Sequence, residues 1–131
     1  TEQYPKGLGQ TTDPLLKELE GYKAVQKMTF SCFGAGNLFE RLKDNNISQV
    51  AVVGVESHVC VQQTVFDLLA NGFQVNLAAD AVSSRKEIDY VTAIQRMSKE
   101  GAEVTTTESI LFELLIESGT DEFKQISKIV K

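Results

Sequence analysis

The sequence has no Lys/Arg cluster, no apolar run longer than a strand, two cysteines and a single histidine. Each shortage excludes something. Without a basic stripe, a surface that tracks nucleic-acid phosphates is not expected. Without a long apolar run, no membrane-spanning helix is expected. Cys32 and Cys60 match neither a disulfide framework nor a zinc signature. Two free thiols, and an opening that is not a charged-then-apolar leader, point to a reducing, cytoplasmic compartment. No GxGxxG or P-loop occurs. "GAGNLFE" carries glycines but does not follow a strand, so a nucleotide- or phosphate-binding module would lack its cradle. What remains is ordinary: 131 residues, 42% hydrophobic, 24% charged, net charge −5. That is one soluble globular domain, large enough to bury a core. Its opening, "TEQYPKGLGQ", reads as a loop that follows something, so the expectation is an N-terminally truncated domain over residues 1–131.

Along the chain, "YPKGLGQTTDP" is loop chemistry, and Asp13-Pro14 is read as cap and first residue of a helix over "PLLKELEGY". "AVQKMTFSCFGAG" has no helical period, and Phe30 and Phe33 are expected to anchor it in the core. Residues 37–45 are amphipathic, with Leu38, Phe39 and Leu42 on one side. "ISQVAVVGV" is an unbroken apolar run, read as a strand covered on both faces. "VCVQQTVFDLLAN" follows as a helix burying Val61, Thr64, Val65 and Leu68, with Gly72 as its stop. "FQVNLAAD" is the next strand and "AVSSRKEID" a loop with helix-cap serines. A helix closed by Gly101, the weaker strand "AEVTTTES" and two last helices complete the chain. This alternation predicts an α/β fold, three-layer α/β/α around a parallel sheet.

Sites in such folds lie beyond the carboxyl ends of the strands. "ESHVC" follows the first readable strand, which puts Cys60 at that rim and at a helix start. The reactive form of cysteine is the thiolate, favoured at helix N-termini and beside cations. The first turn of a helix also offers unpaired N–H groups, suited to an oxyanion formed at an attacked carbon. Against this, free cysteine is among the most buried residue types and often only fills a core. Position brings the two readings level, and spacing goes no further.

"VAVVGVESHVCVQQTVFDLLANGFQVNLAADAVSSR" resembles the core motif of isochorismatase-like hydrolases: apolar strand, glycine, short loop, Cys-Val, helix, glycine, strand, Asp-Ala. "VQKMTFSCF" resembles the family's lysine-bearing segment. "TEQYPKGLG" and "DAVSSRKEID" resemble the isochorismatase domain-containing subgroup. The resemblance covers nearly the whole chain. It implies Cys60 as nucleophile and Lys27 as the neighbouring cation. It also implies a cis peptide between Val55 and Glu56, with the amides of Glu56 and Cys60 as oxyanion hole. The implied reaction is thiolate attack on an amide, imide or related carbon of a small molecule, then hydrolysis of the enzyme-bound intermediate. The family's third catalytic residue is an aspartate in an "Asp-x-Gln" segment, and no such segment occurs here. Asp13 and Asp80 do not match it, so the general base and the first strands of the sheet are absent from this sequence.

Some relatives bind a metal through an aspartate and two histidines. Here His58 is alone and "TEQYPKGLG" lacks ligand spacing, so no metal and no cofactor are expected. Gln3, Tyr4, Leu8, Phe30 and His58 are assigned to the substrate pocket, although each also has a packing or turn role available. Cys32 is read as a buried apolar residue. Asp80 is read as holding nearby backbone N–H groups, with Arg85 as its partner or facing another subunit's carboxylate. Resemblance further implies a homo-oligomer. The rival reading is a non-catalytic interaction protein on the same fold.

Overall fold

The computed structural model describes residues 1–19 and 21–131. Three parallel strands form its main sheet: β3 (Gln49–Val55), β4 (Gln74–Ser83) and β5 (Glu103–Thr105), in that order. Two more, β1 (Glu2–Gln3) and β2 (Gln26–Lys27), pair in parallel as a separate ribbon. Parallel neighbours need crossovers, and helices supply them. Here α4 (Gln62–Ala70) connects β3 to β4, and α5 (Glu87–Lys99) connects β4 to β5.

The α4 helix buries Gln62, Thr64, Val65 and Leu68, and Val61 just before it is buried too, so the side its period predicts faces the core. It stops where Gly72 takes φ 84°, a left-handed conformation that costs glycine little. The α5 helix buries Ala93 and Met97 and closes at Gly101. Leu77 of β4, with Leu68, Val65 and Met97, forms the most completely buried part of the core. The α3 helix (Leu38–Asp44) adds Phe39, edge-to-face against Phe73 at 5.8 Å. Two further helices, α6 (Thr107–Leu115) and α7 (Asp121–Ile129), follow β5. No described helix is long and apolar enough to cross a membrane.

Several expectations are corrected. Both faces of β3 were expected to be covered, yet Val53 and Val55 are 59% and 69% exposed, because no described element packs over that side. β4 runs on to Ser83, where the sequence reads as a loop. The cause is a register break: between the pairs Val52↔Leu77 and Gly54↔Val82, β3 advances one residue past Val52 before re-pairing, and β4 runs through Ala78–Ala81. Gly54 adopts φ 119° there, which a side chain would disfavour.

The segments read as loop contain short elements: α1 (Pro5–Leu8), β1, β2 and a tight turn over Cys32–Gly34. The helix expected over "PLLKELEGY" is α2 (Asp13–Glu18); Glu20 lies outside the described residues. Its cap position is Thr12 rather than Asp13. Phe30 and Phe33 are each 51% exposed rather than buried in the core, although the Phe33 ring still packs edge-to-face on buried Phe39 at 5.2 Å.

Candidate functional site

Strand β3 ends at Val55, the Val55–Glu56 peptide is cis, and a wide π-type turn over Ser57–Val61 leads into α4. Cys60 therefore sits inside that turn, one residue before its end, rather than at the first position of a regular helix. The turn is held by the N–H groups of Val59 and Val61, both donating to the Glu56 carbonyl at 3.1 and 3.2 Å. Ser57 is fully buried within it, and its hydroxyl has no hydrogen-bond partner among the described residues.

Lys27 comes from β2, distant in sequence, and only 6% of it is exposed. A buried ammonium needs its three donors satisfied. Lys27 Nζ donates to Gln3 Oε1 at 2.8 Å, to the Thr29 carbonyl at 3.0 Å and to the Phe30 carbonyl. All three acceptors are neutral, so among the described residues the charge has no hydrogen-bonded carboxylate. Burying an ammonium is expensive unless its donors are met, and these three acceptors meet them.

Lys27 and Cys60 line one cavity of about 390 Å³, together with Gln3, Cys32, Val55 and Thr64. A larger cavity of about 530 Å³ lies on the other side of Lys27, against Tyr4, Lys6, Met28 and Gly34; Lys27 lines both, but this one holds no cysteine, histidine or carboxylate. The smaller cavity is thus the one with chemistry. Of the residues assigned to a pocket, Gln3 lines it and also anchors Lys27. Tyr4 faces the other cavity. Leu8, 73% exposed, lines neither. Phe30 contributes its carbonyl rather than its ring.

His58 is turned toward α5. Its Nδ1 lies 2.9 Å from Ser84 Oγ and its Nε2 4.0 Å from Asp89. Ser84 is therefore occupied by His58 and caps no helix; the cap position of α5 is Lys86. Arg85 pairs with Glu56, Nε to Oε1 at 2.7 Å, rather than with Asp80, and this guanidinium holds the Glu56 carboxyl below its ordinary range. Asp80 accepts from the Thr107 N–H at 2.8 Å and the Thr107 hydroxyl at 3.0 Å, which secures the start of α6.

Two contributors were missed by sequence reasoning. Thr64 accepts from the Cys32 N–H at 3.0 Å and donates to the Cys60 carbonyl at 2.7 Å. Ser31 donates to Asp67 of α4, clamping the segment after Lys27 to the helix after Cys60. A polar residue at a helix position otherwise reserved for core was the available signal for Thr64. Cys32 is half-buried: it packs against the core, as expected of an apolar residue, and also lines the cavity, with its sulfur 3.3 Å from Thr1 Oγ1. Among the described residues, no three His, Cys, Asp or Glu side chains gather as a metal site.

The arrangement is a thiol and a buried cation facing one cavity beyond a parallel strand, and known proteins share its frame. Residues 5–109 match the Isochorismatase domain. Isochorismatase family protein 1B of Dictyostelium discoideum is 40% identical over 135 residues, covering 100% of this chain and 66% of that protein. Isochorismatase domain-containing protein 1 of Danio rerio is 39% identical, over 100% of this chain and 46% of its own length. A solved structure described as the MAR1 ribonuclease of Caenorhabditis elegans superposes with TM-score 0.85 at 40% identity, over 98% of this chain and 66% of that one. The nicotinamidase PncA of Bacillus subtilis superposes at 0.64 with 25% identity, over 70% and 53% of the two chains. The chain spans two thirds or less of the length of these relatives. With motif, sheet order and relatives in agreement, the chain belongs to the isochorismatase family and has its α/β fold.

Proposed function

We propose that the full protein is a cysteine hydrolase acting on a small molecule with an amide, imide or related bond. The observation that carries this reading is the shared cavity: Cys60 and the buried Lys27 line the same space. The Cys60 thiolate adds to the electrophilic carbon, and the charge passes to the substrate oxygen, held by the amides of Glu56 and Cys60. The leaving nitrogen departs with a proton, giving an acyl-thioenzyme. Water then adds and expels the thiolate as the product acid forms. Lys27 brings a positive charge to the cavity in which the thiolate reacts.

Among the described residues no carboxylate lines the cavity of Cys60 and Lys27, so this reading gives the role of proton acceptor to a group beyond that lining. A carboxylate is the group favoured, because Lys27 Nζ meets only neutral hydrogen-bond acceptors among the described residues. The protein works without metal or cofactor, in a reducing, cytoplasmic compartment suited to its two free thiols, and assembles as a homo-oligomer.

Solved relatives described as MAR1 ribonucleases motivate a second reading, in which the substrate is RNA. A net charge of −5 and the lack of a basic stripe weigh against it.

The test is hydrolysis by the full-length protein of a panel of small amides and imides, and of single-stranded RNA, with wild type and Cys60→Ala. Release of ammonia or amine by wild type and a loss of at least about 1,000-fold in Cys60→Ala are expected, as for other nucleophile deletions. RNA cleavage unaffected by Cys60→Ala would overturn the hydrolase reading. A full-length protein in which no carboxylate reaches Cys60 and no amide turns over would favour the non-catalytic alternative.

A further inference from the structure

We propose that Cys32 and Cys60 form a reversible redox pair, in which Cys32 resolves an oxidised Cys60 by closing a disulfide across the cavity. The inference rests on the reading of Cys60 as the reactive thiol and adds a role for Cys32, which the hydrolytic chemistry does not use.

Both cysteines are half-buried, both line the same cavity, and neither is engaged in a disulfide. The Cys32 sulfur lies 3.3 Å from Thr1 Oγ1, and both residues line that space. Their backbones are joined through a single oxygen. The Cys32 N–H donates to Thr64 Oγ1 at 3.0 Å, and that hydroxyl donates to the Cys60 carbonyl at 2.7 Å. This keeps the Cys32 nitrogen within about 6 Å of the Cys60 carbonyl oxygen, so the two segments run side by side; the bond itself needs their Cα atoms about 4.4–6.8 Å apart. The link is also buried, since Thr64 is only 7% exposed, so the two segments are held rather than meeting by chance.

The oxidant is a peroxide. The Cys60 thiolate attacks one peroxide oxygen, the O–O bond breaks and hydroxide leaves, so sulfur is oxidised to sulfenic acid as peroxide is reduced. The Cys32 thiolate then attacks the sulfenic sulfur. An S–S bond forms, the S–O bond breaks, and the departing hydroxide takes up a proton as water. A small dithiol or monothiol reverses the bond by exchange. Pairing consumes the Cys60 sulfenic acid, so the disulfide diverts it from the progression to sulfinic acid that thiol reductants do not reverse.

The full-length protein is reduced, treated with stoichiometric hydrogen peroxide, blocked with iodoacetamide and peptide-mapped without reductant. The expected product is an intramolecular Cys32–Cys60 cross-link, with Cys60 alkylation lost and then fully recovered after dithiothreitol. In Cys32→Ser, and in Cys32→Ala as a second variant, the same treatment takes Cys60 past sulfenic acid and dithiothreitol restores little alkylation. Should neither variant fold, the wild-type cross-link decides alone. Two results overturn the proposal, and they differ. Dimedone-trapped Cys60 sulfenic acid with no link to Cys32 refutes the pairing and leaves the nucleophile intact. A Cys60 that reacts with peroxide and iodoacetamide no faster than free cysteine removes the pairing together with the reading beneath it.

Discussion

The two sides of the main sheet are finished to different degrees. Toward β5, Leu77, Val65 and Met97 are fully enclosed between β4, α4 and α5. Toward the β1–β2 ribbon, Val53, Val55, Leu15 and Leu19 present between 47% and 69% of their surface. Apolar burial contributes about 25 cal/mol per Å², so the enclosed side holds most of the stabilising energy and the open side little. The site lies across this boundary. Cys60 is carried by the enclosed side, in the turn leading into α4. Lys27 is carried by the open side, fixed by a glutamine and two carbonyls. The nucleophile is therefore placed by the deep core, whereas the cation depends on a two-strand ribbon held to α4 by Ser31–Asp67 and Cys32–Thr64.

The contrast is broken or sharpened most strongly by a pair of truncations. Leu77→Ala removes a fully buried side chain and is expected to cost about 2–5 kcal/mol in urea denaturation. Val53→Ala, on the open face, is expected within about 0.5 kcal/mol in residues 1–131. A Val53→Ala cost matching that of Leu77→Ala would mean that the face is covered, by a second copy or by other chain, and the contrast would fail. The same pair measured in the full-length protein locates the cover directly.

How much of this was legible in the sequence follows the same boundary. The helices α4 and α5 and the strands between them repeat every few residues, and their periodicity named Val61, Thr64, Val65 and Leu68 as buried. The ribbon offered no period: two-residue strands pair Gln3 with Lys27 across 24 positions, and nothing local announces that. The exposure of Val53 and Val55 was unreadable for a different reason. An apolar run records that a face is suited to burial, not what lies over it. Lys27 and Cys60 were singled out through family resemblance; position alone left Cys60 undecided and gave Lys27 no distinction. The hydrogen bonds of His58 to Ser84 and of Arg85 to Glu56 are set by the extension of β4, which the register break causes and composition does not reveal.

A smaller effect is expected at the boundary itself. Thr64→Val keeps the shape of the side chain and removes the hydroxyl between Cys32 and Cys60. The Cys32 N–H then loses its acceptor, at a cost of about 1–3 kcal/mol. Hydrogen exchange separates this from a general loss of packing: the Cys32 amide should exchange faster, with little change at Leu77 or Met97. Equal acceleration at all three would show that the two sides unfold as one unit and that the boundary has no energetic meaning.

The smallest effect belongs to Asp80, which fastens α6 to the end of β4. Its carboxyl is held below the ordinary aspartate value, first by the Thr107 N–H and then by the Thr107 hydroxyl, both donating to the ionised oxygen. A depressed carboxyl contributes stability that is fully present above its unfolded value and is lost as pH falls through the folded one. In addition, a negative charge at the first turn of α6 opposes the positive end of the helix dipole. Asp80→Asn keeps an acceptor oxygen and removes only the charge. The variant should therefore unfold at slightly lower urea than wild type at neutral pH, and the gap should close as pH drops below the usual carboxylate range. Added salt should narrow it as well, since the group is exposed. A gap that stays constant with pH would assign the anchor to shape and neutral hydrogen bonding. A gap that widens in acid would reverse the sign and discard the charged contact altogether.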